Sequence, residues 1–196
     1  MQFPSLLVIG ALVVAPIGAQ TTARLTVGGT LGTALASDQL GGPVSLGTGV
    51  PVTAALSVAH PIGAGYRALA EVRGGRGALR ADNNGESSTI PGLTTVGLML
   101  LVDGPLAHRV RWELGAGFLS YRPAELSGAF SKGGPTPWLL GAGLNWSRPL
   151  SESFDLVANG RYDFHQFRSR QLDSRGYTQY QSVHRIGLGV GIERSF

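Results

Sequence analysis

From Arg24 onward, apolar residues recur at every second position along nearly the whole chain, with small or polar residues between them. A period of two is the mark of a strand with unlike faces. The first predicted strand sets Leu25, Val27 and Leu31 against Arg24, Thr26, Gly28 and Thr30. The second, about 50–59, sets Val50, Val52, Ala54, Leu56 and Val58 against Thr53, Ala55 and Ser57, and His60-Pro61-Ile62-Gly63 turns the chain. In the third, about 65–75, Tyr66, Ala68, Ala70 and Val72 oppose Arg67, Glu71 and Arg73. The fourth offers Val96, Leu98, Leu100 and Val102 before Asp103-Gly104-Pro105, a turn signal.

The fifth strand alternates most regularly, with Val110, Trp112, Leu114, Ala116 and Phe118 against Arg109, Arg111, Glu113, Gly115 and Gly117. No soluble core needs charge spaced in this way. In the sixth, Trp138, Leu140, Ala142, Leu144 and Trp146 oppose Gly141, Gly143, Asn145 and Ser147, so that a Trp stands at each end of the apolar band. Interfacial aromatic girdles require that placement. The seventh sets Phe154, Leu156, Ala158, Tyr162 and Phe164 against Asp155, Asn159, Arg161, Asp163 and His165. In the last, Leu188, Val190, Ile192 and the terminal Phe196 share one parity, and Gly187, Gly189, Gly191 and Glu193 take the other.

The connections between these runs alternate in length. They are long at about 36–49, 76–92, 122–136 and 168–181, and short near 60–64, 103–108 and 148–153. Short turns at one rim and long loops at the other belong to membrane barrels, with the termini on the short-turn, periplasmic side. About eight strands and an even count follow.

Composition sharpens this picture. Of 196 residues, 43% are hydrophobic, 14% are charged and 30 are Gly, a share that a helical protein would rarely carry. Cysteine is absent, which removes disulfides, thiolate nucleophiles and Cys-based metal sites. No cofactor or metal is expected. The net charge of +4 is carried by arginines scattered singly or in pairs, with Lys132 the one lysine, so nucleic acid is not an expected partner. At the amino terminus, Leu6–Val14 form an apolar core followed by Pro16, Gly18 and Ala19, which reads as a signal peptide over 1–19 with cleavage after Ala19, although a basic n-region is missing. The run is too short for a membrane helix. An exported chain without a helical anchor is either soluble outside the inner membrane or a barrel.

The alternation, the loop rhythm and the apolar strand ending at Phe196 together resemble the small eight-stranded bacterial outer-membrane barrels, the group of OmpX and the membrane domain of OmpA. The resemblance covers residues 20–196 and implies an all-β, antiparallel, up-and-down transmembrane barrel in the outer membrane. It further implies contact with outer-membrane lipid and lipopolysaccharide, and recognition of the Phe196 strand by a barrel-insertion machinery. The chain ends where OmpA-type proteins append a peptidoglycan-binding domain, so a cell-wall tether is not expected. A monomer is expected.

Eight strands enclose a space that side chains just fill. The inward parity therefore predicts a lumenal charge network of Glu71, Arg73, Arg109, Arg111, Glu113, Arg161, Asp163, Arg185 and Glu193. Inward glycines make room for the arginines, and Asp163 is the expected partner of Arg185 by hairpin counting. The expected interface aromatics are Tyr66, Trp112, Trp138, Trp146, Phe154, Phe164 and Phe196. Arg168, Arg170 and Arg175, interleaved with Tyr177 and Tyr180, give the last long loop a character suited to phosphate-bearing headgroups.

Other local patterns carry less. Arg73-Gly74-Gly75-Arg76-Gly77 looks like an RNA-binding segment, but it lies where a strand leaves the membrane. The glycines of 187–191 lack the dinucleotide-binding spacing, and Asn145-Trp146-Ser147 lies inside a strand. His165 and His184 sit on adjacent strands at opposite parity, without the closely spaced serine of lipid A deacylases, and His60 and His108 lie at the opposite rim. The expectation is a non-enzymatic surface-interaction barrel with a plugged polar lumen. The alternatives are a narrow channel for ions or small solutes, a lipid A-modifying enzyme, and a lipocalin-like soluble barrel with its apolar face inward.

Overall fold

The structure, a computed structural model, describes residues 21–38, 44–83, 86–126, 130–174 and 180–196. The expected signal segment, 1–19, lies outside them. The strands in chain order are β1 (Thr22–Gly32), β2 (Ala36–Asp38), β3 (Val44–Thr48), β4 (Val52–Gly63), β5 (Tyr66–Asn83), β6 (Glu86–Ala107), β7 (Val110–Pro123), β8 (Trp138–Pro149), β9 (Phe154–Phe167) and β10 (Gln181–Ser195). A single short helix among the described residues, α1 (Arg170–Ser174), lies between β9 and β10.

Neighbouring strands are antiparallel, and the ring β4-β1-β10-β9-β8-β7-β6-β5 returns to β4, giving a closed eight-stranded barrel. The seam joins the first and last strands, with Leu25 opposite Ile192 and Val27 opposite Val190. Closure leaves no unpaired edge within the membrane, the condition for crossing hydrocarbon with strands.

Orientation follows from exposure. Val52 is 71% exposed, and Leu100 and Leu188 are each 70% exposed, whereas Asp103, Glu113 and Asp163 are buried inside. In water each exposed apolar side chain would forgo about 1.5–3 kcal/mol of burial energy. A continuous apolar belt of that kind calls for lipid. The lipocalin-like arrangement is thus inverted here: the apolar face is outside.

The aromatic residues expected at the interfaces stand at two levels of the wall. Trp138 and Trp146 stand eight residues apart on β8. That is about 27 Å of strand, which a tilt of roughly 40° turns into about 20 Å of height, close to an apolar band of ~25 Å. Tyr66, Trp112, Trp146, Phe154 and Phe196 mark the periplasmic level, with Tyr66 and Trp112 edge to face at 6.1 Å. Trp138 and Phe164, 5.6 Å apart, mark the outer level.

Three details differ from the sequence reading. The long 76–92 connection is mostly strand, because β5 and β6 continue as a paired hairpin past the barrel wall. Within the 36–49 connection, β3 pairs with the extended part of β5 and β2 pairs with β3, adding a small outer sheet. The chain also does not turn at Asp103-Gly104-Pro105. Pairing runs on to Ala107 opposite Val110, and the turn is His108-Arg109, with Arg109 at φ 64°. The turn before β5 has the same tightness: Gly63 pairs with Tyr66, and Ala64 and Gly65 between them have φ 50° and 79°. Positive φ at both central residues matches the right-handed twist of the flanking strands, and glycine is the residue that adopts it without strain.

Candidate functional site

The lumen has two levels. The periplasmic and central level is an ion-pair network built on Asp103, which is 0% exposed. Arg67 donates to Asp103 from Nη2 at 2.6 Å, and Arg111 donates from its own Nη2 at 2.7 Å. Arg67 also donates through Nη1 to Glu193 at 2.6 Å, and Arg24 reaches the same carboxylate through Nε at 2.8 Å. Arg24 then donates to Asn145 Oδ1 at 2.9 Å, and Asn145 Nδ2 donates to Glu113 at 2.7 Å.

A second group continues the chain of contacts toward the outside. Arg161 lies 3.4 Å from Glu113 and bonds Glu71 at 2.9 Å and Asp163 at 3.0 Å. Arg73 bonds the same two acids, Glu71 on its own strand at 2.8 Å and Asp163 across the lumen at 2.5 Å. The network thus runs without a break from Arg111 near the periplasmic turn to Arg73. Taking such charges out of water is costly, and only close pairing with further hydrogen bonds offsets it.

The glycines of β8 provide the room. A Cβ at Gly141 would lie 2.9 Å from both Arg161 Nη2 and Asp163 Oδ1, and one at Gly143 would lie 2.9 Å from Glu113 Oε1. The charged side chains fill the volume that side chains at those positions would take.

Above the network the lumen changes character. Tyr121, Phe130 and Phe167 form an aromatic cluster, with Phe167 centred 5.3 Å from Tyr121 and 5.8 Å from Phe130, both edge to face. Leu35, Leu79, Leu93, Leu119 and Leu139 complete the packed mouth. Leu35 and Phe130 come from outer connections, so the loops themselves fold in to close it. Beneath this plug, Tyr121 Oη and His165 Nε2 are 2.5 Å apart, and His165 Nδ1 is buried without a partner among the described residues.

Most of the predicted network is assembled: Glu71, Arg73, Arg111, Glu113, Arg161, Asp163 and Glu193 all take part. Arg109 does not. It is exposed in the periplasmic turn, because the strand runs past the expected reversal and places this residue in the loop. Arg185 does face inward and stands opposite Asp163 in register, but the carboxylate is held by Arg73 and Arg161 instead. Its stem leans the other way, over Gly32 of β1, where a Cβ would come within 3.2 Å of Arg185 Cγ. Arg24, Arg67, Asp103 and Asn145 were missing from the predicted network, although parity already placed Arg24, Arg67 and Asn145 inside.

At the outer rim a groove of about 560 Å³ runs between the third and fourth outer connections. Lys132 and Pro137 line one side, Arg168, Arg170 and Tyr180 the other, and Trp138 stands at its edge. Asp173 accepts a 2.6 Å hydrogen bond from Arg168, which raises the Arg168 pKa above its ordinary value, and Arg168 lies 5.0 Å over the Tyr180 ring. Arg175 and Tyr177 fall outside the described residues. His184 faces outward, its Nδ1 2.5 Å from Tyr162 Oη, while His165 is sealed inside; the two share no site. Among the described residues no group of His, Asp and Glu is arranged to hold a metal ion.

No protein-family model matches the chain, and no curated protein is similar to it in sequence. Solved structures are similar in fold. The outer membrane protein OprG from Pseudomonas aeruginosa superposes with a TM-score of 0.62 at 8% identity, over 91% of this chain and 96% of that one. The outer membrane protein AlkL, determined in lipid bilayers, gives 0.60 at 14% identity over 100% and 96%. Neisserial surface protein A gives 0.53 at 13% identity over 90% and 97%. The chain has the fold of the small bacterial outer-membrane barrels, and the location expected from its sequence is that of these neighbours.

Proposed function

We propose that the protein is a non-enzymatic, monomeric barrel of the outer membrane that presents its outer rim to anionic saccharide and lipid headgroups of lipopolysaccharide. The observation that carries this reading is the occupied lumen, packed with paired charges below and closed by aromatic side chains above. Such a barrel is a rigid support, and recognition then falls to the loops it holds. The rim groove is lined by three cations, Lys132, Arg168 and Arg170, against one acid, Asp173, which pairs with Arg168, beside Trp138 and Tyr180. Guanidinium groups bind phosphate through paired donors, and aromatic faces suit sugar rings. The separation of His165 from His184 supports the non-enzymatic side of the reading.

The test is binding of the detergent-folded protein to vesicles with and without lipid A. Replacing Lys132, Arg168 and Arg170 together by alanine is expected to weaken binding to the lipid A vesicles by well over fivefold. Equal binding to both vesicle types, or no loss in the triple variant, would contradict it.

A further inference from the structure

We propose that the lipid-facing wall carries a binding site for one anionic glycerophospholipid of the periplasmic leaflet, its acyl chain lying in a furrow over β9 and its phosphate held by Arg148 and Arg194. The inference rests on the outer-membrane location and is independent of the rim groove. The furrow is built by register. Two rows of outward side chains cross β8, β9 and β10: Leu144, Gly160 and Leu188 form one, and Trp146, Ala158 and Val190 form the other. In each row the small residue lies on β9 and larger ones flank it, so the wall is hollowed between two ridges. The hollow measures about 650 Å³, and these six residues are among those that line it. A chain laid in it touches apolar atoms on both sides as well as below, contacts that a flat wall does not offer.

The charge at its periplasmic end decides the headgroup. The next row toward the periplasm places Arg148 beside Leu156 and Ile192, and the row after that places Arg194 beside Phe154. Both arginines are exposed on the outer face, and neither lies within ion-pair distance of a carboxylate among the described residues. Arg194 stacks over the rings of Phe154 and Phe196, 5.6 and 4.8 Å from their centroids, which holds it at the level of the periplasmic aromatics. A third cation stands near: the carbonyl of Arg109 accepts from the Ser147 amide at 3.0 Å, next to Arg148 in the chain. The acids of this region are Glu152, in the turn between β8 and β9, and Asp155, which has the opposite parity to Phe154 and stands across from Glu193. Arginines below Trp146 lie where phospholipid phosphates lie, and a guanidinium donates to phosphate through paired hydrogen bonds. A zwitterionic headgroup would bring its own cation to an already cationic rim, so the site selects a headgroup with net negative charge. A second barrel in the same orientation would set these arginines against their own copies, which disfavours protein as the occupant.

Phosphatidylglycerol is the probe, and Trp146 at the edge of the furrow is the reporter. In a chain carrying Trp112→Phe and Trp138→Phe it is the single tryptophan left. This chain is folded into phosphatidylcholine bilayers in which a fixed minor share of lipid has brominated acyl chains, either as phosphatidylglycerol or as phosphatidylcholine. Brominated phosphatidylglycerol is expected to quench Trp146 as strongly as an about fivefold larger share of brominated phosphatidylcholine. Arg148→Gln combined with Arg194→Gln removes that difference. Gly160→Val, at a position where a Cβ meets only Leu188 Cδ2 at 3.5 Å, fills the furrow and brings quenching by phosphatidylglycerol down toward the phosphatidylcholine level. Native mass spectra of the unaltered chain, released from the same mixture without bromine, show phosphatidylglycerol retained beyond its share. Equal quenching by the two lipids, a preference unchanged in either variant, or quenching lost as protein density rises because a second copy covers the furrow, overturns the proposal. So does retention of the two lipids in proportion to the mixture, a result that needs no variant to fold.

Discussion

The two halves of the lumen are sealed by opposite chemistry. The periplasmic and central half is closed by arginines and carboxylates from the strands, each bonded to more than one partner. The outer half is closed by Tyr121, Phe130, Phe167 and Leu35, two of which arrive from connections rather than from the wall. The lower seal is specified strand by strand and holds the barrel in register. The upper seal depends on loops, and at this level Arg185 has no ion-pair partner and His165 Nδ1 no hydrogen-bond partner among the described residues.

The comparison can be broken first at Asp103. Asp103→Ala leaves Arg67 and Arg111 enclosed with a lost partner, and stability should fall by about 3–5 kcal/mol, read from the heating temperature at which the folded band on an unboiled gel is lost. Phe167→Ala empties the centre of the upper seal and should cost about 3 kcal/mol by the same readout, with the lower network intact. Gly143→Val drives a side chain into Glu113 and should cost about 1–3 kcal/mol through overpacking. Arg109→Ala, which removes an exposed turn residue, should stay within about 0.5 kcal/mol of the wild type. An Arg109 effect as large as that of Asp103 would put the turn residue back into the network.

The fold was largely legible because a period of two survives any local irregularity, and a membrane barrel needs it in every strand. Parity alone also put Arg111, Glu113, Arg161 and Asp163 in one enclosed space. It could not say where a strand stops. Asp103-Gly104-Pro105 carries strong turn chemistry, yet the paired partner strand of Arg111 and Trp112 holds it extended, and the aspartate becomes the most buried acid of the network. The same limit hid the β5–β6 extension, whose Gly- and Ser-rich sequence reads as loop. Pairing was misjudged at Arg185 because hairpin register fixes Cα neighbours, whereas long side chains choose partners across the lumen; Arg73 reaches Asp163 from the far wall. Closure of the mouth by Leu35 and Phe130 left no periodic trace, since loop residues have no parity to read.

Single-channel recording on the wild-type protein in planar bilayers tests the sealed lumen most directly. The continuous network and closed mouth predict a flat baseline with no steady conductance, unchanged when Phe130 and Phe167 are replaced by alanine because the charged level still fills the bore. Stable, unitary current steps in the wild type would contradict it, and would turn the paired arginines from a packed interior into the lining of a path.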